Sequence, residues 1–282
     1  MKTLKNHLIL YDAECPMCQL YTHAFTRTHM LDSNGRAPYQ TALAAEASPL
    51  TPACPLIDRD RAVNEIALIN TETGEVTYGI HSLFKIIAHS FPLLKPLFTC
   101  RPFITIMRKV YAFISYNRKV IIPAPQNSTL KPAFSLKYRI AWLLFTTIIA
   151  ASILTRYTHL LTGILPPGGP WREYLICGGQ IGYQGMIVTL YAPDKKWDYL
   201  GNMMTISLAG SLALLPALAI PQLSPGIAAS PLFPMIATAW FGIVATGMLL
   251  EHIRRTKLLG LDWTLSISWI FYRLVVLFLI LR

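Results

Sequence analysis

Leu8-Ile-Leu-Tyr-Asp-Ala-Glu-Cys-Pro-Met-Cys18 is the stretch on which the reading of this chain turns. Its apolar run, Leu8 to Tyr11, ends at an acidic turn, Asp12-Ala-Glu14. From Cys15 to Met30 the residues are mostly polar with apolar ones at helical intervals, which predicts strand, turn and helix in that order. The pair Cys15 and Cys18 therefore opens a helix that directly follows a strand. A thiolate at such a place is stabilised by the positive end of the helix dipole and by unpaired backbone N–H groups, which bring its pKa from about 8.5 to roughly 3.5–7.5. This makes Cys15 the expected attacking sulfur. Cys18, one turn later on the same face, is placed to resolve a mixed disulfide, and Pro16 has the fixed φ favoured in a first helical turn. Asp12, three residues before Cys15, is placed either to take the proton of Cys18 during resolution or to cap the helix. If Asp12 or Glu14 stays ionised beside Cys15 it opposes the dipole and raises the thiol.

A zinc half-site and two unconnected structural thiols stand as the other readings of the pair. Zinc would need two more ligands, and Cys54, Cys100, His23, His29 and His81 show no second paired spacing. No metal or other cofactor is expected, and His23 and His29 read as surface residues. Nothing in the spacing brings Cys54 and Cys100 together as a second redox pair, and they read as ordinary free thiols of a reducing compartment; five scattered cysteines do not make a disulfide framework.

Further along, residues 31–60 carry turn signals, three prolines and the charge run Asp58-Arg-Asp-Arg61, around one short element at Thr41 to Ala47. Glu65 to Asn70 and Glu75 to Gly79 are two β-prone runs across Thr71-Glu-Thr-Gly74, a hairpin. Helical patterns follow at His81 to Ala88 and Phe103 to Ile122. The order β-α-loop-β-β-α-α fits a small α/β domain of thioredoxin-like type.

Two of these motifs carry a family resemblance. Tyr11-Asp-Ala-Glu-Cys-Pro-Met-Cys18 resembles the N-terminal signature of the DCC thiol-disulfide oxidoreductase family. Gly79 leading into the helix at Leu83, and Tyr111-Ala-Phe-Ile-Ser-Tyr-Asn-Arg118, resemble its later elements. The resemblance covers roughly residues 6–122. It implies a thioredoxin-like fold, disulfide oxidoreductase activity with Cys15 and Cys18 as the redox pair, and Asp12 as a fixed part of the site. By the same analogy Tyr11, Pro16, Tyr111, Asn117 and Arg118 are candidates for contact with substrate. The structural alternative is that Tyr111 belongs to the core and that Asn117-Arg118 caps a helix or meets lipid phosphate. In one respect the chain departs from thioredoxins: Val63-Asn64, with no proline, precedes the strand at Glu65, so the cis-proline that shapes their substrate groove is missing.

The second half of the chain is of another kind. The 282 residues are 53% hydrophobic and only 14% charged, with a mean hydropathy of +0.43, which excludes an entirely soluble protein. The run after Met1 is too short for a signal peptide. A linker, 123–138, precedes four apolar runs near Ile140–Leu161, Met203–Ile220, Leu232–Leu250 and Trp263–Leu281, with a weaker fifth at Leu175–Tyr191. Crossing of the fifth puts Lys195, Lys196, Arg254, Arg255 and Lys257 on the same side as the basic N-terminal half, as the positive-inside rule requires.

The expected architecture is an α/β thioredoxin-like domain at 6–122, facing the cytoplasm, and an all-α polytopic membrane domain at 139–282, of about five helices, in a bacterial inner membrane. Cys177 lies among small residues suited to close helix packing. Arg273 is the one charge read as lying well inside a span, and no acid, His or metal cluster is expected there. The expected partners are the bilayer, a disulfide substrate of protein or small-molecule type and an unidentified electron donor. Nucleic acid is not among them, because the net charge of +11 is accounted for by orientation and anionic lipid. The function expected is dithiol–disulfide exchange. The alternative is a transport or scaffold protein whose N-terminal domain senses redox state or binds a metal.

Overall fold

In the computed structural model, which describes residues 2–43, 57–125, 130, 132–166 and 168–282, the first apolar run forms β1 (His7–Tyr11). Successive side chains of a strand point to opposite faces, so Ile9 and Leu10, both fully buried, enter different halves of the core. The chain continues through α1 (Pro16–Arg27), β2 (Arg36–Pro38), α2 (Tyr39–Ala42), α3 (Arg59–Asn64), β3 (Ala67–Asn70), β4 (Val76–Tyr78), α4 (Ile80–Ser90), α5 (Lys95–Thr99) and α6 (Arg101–Ile121). The four strands form one sheet in the order β2-β1-β3-β4. β1 pairs parallel with β2, placing Leu10 beside Ala37, and antiparallel with β3, placing Ile9 beside Leu68. β3 pairs antiparallel with β4. On one face Leu10, Ala67 and Ile69 meet Tyr39 of α2 and Ala62 and Val63 of α3. On the other, Ile9 and Leu68 meet Phe25 of α1 and Ile86 of α4.

The hairpin and the helices at α1, α4 and α6 lie where the sequence predicts them, and three elements are additional: β2, α3 and α5. The charge run read as loop is α3, whose first turn is capped by the Asp58 carboxylate accepting from the Arg61 N–H at 3.0 Å. The element expected at Thr41 to Ala47 appears as α2, ending at Ala42, and the rest of that stretch, with Cys54, lies outside the described residues. Gly79 turns the hairpin into α4 at φ 63, and a Cβ there would stand 2.8 Å from a Glu65 carboxylate oxygen, so this position requires glycine.

The chain divides into two compact units, Met1–Tyr138 and Arg139–Arg282. Helix α7 (Leu136–Thr158) begins within the stretch read as linker. It is followed by α8 (Arg172–Tyr191), α9 (Lys196–Ala213), α10 (Leu215–Leu223), α11 (Pro225–Ala228), α12 (Phe233–Leu258) and α13 (Thr264–Leu281). Among the described residues, four segments are long and apolar enough to cross a membrane: Leu136–Leu161, Pro193–Leu223, Phe233–Leu258 and Thr264–Leu281. The weak fifth segment is α8, helical over 20 residues but made less apolar by Gln180 and Gln184, both buried. Helices α8 and α12 pack on α9, and α13 packs on α8 and α12.

The alternation in β1 makes a stability prediction. Ile9→Ala, at a fully buried site, should destabilise the N-terminal unit by about 2–5 kcal/mol. Leu20→Ala, at an exposed site of α1, should change it by no more than about 0.5 kcal/mol. Pulse proteolysis of the full chain across a urea series measures both.

Candidate active site

The two cysteines lie where strand β1 gives way to α1. Asp12 O accepts the Cys15 N–H at 3.2 Å, closing the turn. Cys15 is the N-cap of α1, with Pro16 at the first helical position, and its Sγ accepts the Cys18 N–H at 3.4 Å. The helix N-terminus therefore already donates to one sulfur of the pair. Both thiols are free and only 6% exposed, packed with Tyr11, Met17 and Tyr21.

Asp12 does not cap the helix. One of its oxygens accepts the Glu14 N–H at 3.0 Å and the Gln40 amide at 2.7 Å. The other accepts from Arg118 Nη2 at 3.1 Å, an ion pair in which both side chains are buried. Arg118 reaches this point from the far end of α6. Its Nη2 also donates to Val63 O at 3.1 Å, and its Nη1 to Asn64 O at 3.3 Å and Ser115 Oγ at 3.4 Å. The guanidinium thus holds the Val63-Asn64 segment, where the sequence lacks the thioredoxin proline. Losing one member of such a pair leaves the other buried and uncompensated, at a cost of about 3–5 kcal/mol.

These charges set the thiols. The hydrogen bond from Cys15 lowers Cys18 to about 7, aided by the Arg118 charge and the Tyr21 hydroxyl and opposed by burial and by Asp12. Contrary to the lowering expected of a thiol at a helix N-terminus, Cys15 is held above the ordinary thiol range by its hydrogen bond to Cys18, by burial and by the Cys18 charge, so that Cys18 is the more acidic of the two. Burial works against the Arg118 charge, but Cys18, Asp12 and Cys15 together hold its pKa above the ordinary arginine value. Burial pushes Tyr111 up to about 12.

The other residues singled out in the sequence divide by place. Tyr11 touches the pair and holds Arg36, which donates to its hydroxyl at 2.9 Å and lies over its ring. Tyr111 accepts the Ile66 N–H at 3.0 Å and lines, with Met17, Cys18, Val110, Ile114 and Arg118, an apolar groove of about 220 Å³ between α1, α4 and α6. A second cavity, of about 10 Å³, room for one water, lies among Cys18, Asp12, Tyr39 and Arg118. Asn117 points elsewhere: its amide donates to Phe113 O at 2.9 Å and Tyr138 O at 3.0 Å. His23 and His29 are exposed, as is Cys100. Among the described residues, no group of three His, Cys, Asp or Glu is placed to hold a metal ion. Gln40, Tyr21 and Tyr39 belong to the site without having been found in the sequence, which carries no spacing that links them to the cysteines.

The membrane unit holds polar residues that the sequence reading missed. The apolar run ending at Leu250 is helical to Leu258, because Glu251 pairs with Arg254 and Arg255 at 2.7 Å and carries the helix through the charged stretch. This extension brings His252 into the candidate span Phe233–Leu258, past the end read from the sequence. Its Nε2 meets the Tyr199 hydroxyl at 3.1 Å and its Nδ1 meets Ser266 Oγ at 3.1 Å. The Tyr199 hydroxyl donates to Gln184 Oε1 at 2.8 Å, which also accepts from Ser268 at 3.2 Å. Arg273 lies over the ring of Trp269, which stacks on His252.

Comparison with family models, with curated proteins and with solved structures gives no match for the chain.

The arrangement predicts a pH dependence. Alkylation at Cys18, followed by peptide mapping, should rise with a midpoint near 7. Arg118→Met should move that midpoint up towards the ordinary thiol value of about 8.5, and Arg118→Lys should move it less. Because the folded-state pKa of Cys18 is lowered, the reduced protein should be more stable above the ordinary thiol range and lose that increment as pH falls through about 7. The raised Cys15 acts in the opposite sense, and only above the ordinary thiol range.

Proposed function

We propose that this chain is a membrane-bound thiol–disulfide oxidoreductase of the DCC type, with a thioredoxin-like N-terminal unit. The observation that carries this reading is the position of Arg118. The last residue of the second motif is hydrogen-bonded to Asp12 of the first and its charge helps to lower the pKa of Cys18, although it lies 106 residues from Asp12. The sheet order β2-β1-β3-β4, with β1 and β2 parallel and the hairpin antiparallel, supports the fold assignment.

In the proposed reaction one thiolate attacks a substrate disulfide. A bond forms between the protein sulfur and one substrate sulfur, and the other leaves as a thiolate. Cys15 takes this role, passing its proton to Cys18 along the hydrogen bond they share. Cys18, kept acidic by Arg118 and the Tyr21 hydroxyl, then gives that proton to the departed substrate thiolate and attacks Cys15, which releases the second substrate thiolate and closes the Cys15–Cys18 disulfide. The substrate gains two electrons and the pair loses two. Asp12 acts as a positioning residue, since its oxygens are occupied by Arg118, Gln40 and the Glu14 N–H. Cytoplasmic placement of the unit, in a bacterial inner membrane, and inclusion of α8 as a fifth span belong to the same proposal. They are supported by Lys195, Lys196, Arg254, Arg255 and Lys257 falling on the basic side.

Thiol counting by mass spectrometry across glutathione redox buffers should show one reversible two-electron transition confined to Cys15 and Cys18. Its absence, or one zinc per chain shielding both thiols, overturns the reading. With a model disulfide, Cys18→Ser should trap a mixed disulfide on Cys15, and Cys15→Ser should trap none; the converse pattern gives the attack to Cys18. The exposed Cys100 should react with a membrane-impermeant maleimide in inverted vesicles held in high salt and not in intact cells.

A further inference from the structure

The surface around α5 and α6 is uncovered and of one chemical kind. Phe91, Leu93, Leu94 and Leu97 are exposed, Leu93 at 94%, in the turn Pro92–Leu94 and the short α5 that follows it. Ile106, Val110 and Ile114, also exposed, recur every four residues along α6, and residues so spaced form one stripe on a helix. By the same geometry Arg101 and Arg108 fall on the opposite side of α6 and Lys109 at the edge of the stripe. These three and Lys95 are exposed. Not one Asp or Glu occurs from Val76 to Arg172, so α5 and α6 themselves carry no acidic side chain.

A soluble protein rarely leaves so many large apolar side chains in water, and such a patch marks a contact. Its composition selects the occupant. A protein partner would need acidic residues to meet this charge, whereas apolar residues on one side of a helix and cations on the other are the pattern of a helix lying in a lipid interface. The chain itself supplies the bilayer. Residues 122–135 alone separate α6 from α7, the first of the apolar helices, so contact with lipid is intramolecular and needs little intrinsic affinity.

We propose that the α5–α6 face is a docking surface for an anionic leaflet, with Phe91, Leu93, Leu94 and Leu97 among the acyl chains and Lys95, Arg101, Arg108 and Lys109 at the phosphates. Nothing in this depends on the redox reading. It does bear on access, since Val110 and Ile114 also line the apolar groove that ends at Cys18.

Cys100, exposed between α5 and α6, is a native reporter. The full chain is placed in nanodiscs of phosphatidylcholine alone or mixed with phosphatidylglycerol, and Cys100 alkylation by a water-soluble maleimide is followed by peptide mapping. The expected result is alkylation about tenfold slower in the anionic discs, recovering in high salt and in the variant Leu93→Asp/Leu97→Asp. Equal rates in the two lipids would overturn the proposal. So would a slow rate that ignores lipid charge, which means that the chain covers the face itself, or a rate that falls with the number of chains per disc, which means that a second copy does.

Discussion

The N-terminal unit depends on one buried ion pair, Asp12 with Arg118. Asp12 lies at the end of β1 and Arg118 near the end of α6, so the pair closes the unit from its first strand to its last helix. Neither group tolerates burial alone, and each is surrounded by the hydrogen bonds that make burial permissible. Gln40 and the Glu14 N–H complete the carboxylate, while Val63 O, Asn64 O and Ser115 complete much of the guanidinium. The same pair sets the reactivity of the cysteines. The Arg118 charge helps to lower Cys18 while Asp12 raises it. Asp12 thus holds the cation in place while opposing part of its effect.

What the sequence disclosed follows from which forces leave a local trace. The β1–α1 unit, the hairpin and the long amphipathic helices are governed by periodicity, and each was legible. β2 was not, because its three residues, Arg36-Ala-Pro38, carry no alternation and exist as a strand only through their register with Ile9, Leu10 and Tyr11. Nor was α3, since its charges resemble a solvated loop until Asp58 is seen to cap it. Of the site, the Cys-x-x-Cys pair could be read from position alone. The union of Arg118 with Asp12 could be suggested only by family likeness, and Gln40 and Tyr21 by nothing local.

The polar contacts of the C-terminal unit leave no local trace for a related reason. Two glutamines on α8 look unfavourable when counted along the helix. In the bundle Gln184 accepts from Tyr199 of α9 and Ser268 of α13, and Tyr199 meets His252 of α12. One polar centre thus joins four helices. Apolar contacts slide easily past one another in lipid, and hydrogen bonds of this kind fix which faces meet. A per-residue scale scores the side chain against lipid when its actual surroundings are other side chains.

The second motif, Tyr111 to Arg118, makes sense as three neighbouring residues with separate tasks. Tyr111 accepts the Ile66 N–H and so ties α6 to the start of β3. Arg118 turns inward to Asp12 and the cysteines. Asn117 turns the other way, holding Tyr138 O at 3.0 Å, while the adjacent Tyr116 stacks on the Tyr138 ring at 4.8 Å. The first turn of α7 is therefore strapped to the turn of α6 that carries Arg118. A motif that looks like a helix end when read alone thus ties α6 to β3, to the turn that carries the cysteines and to the first turn of α7.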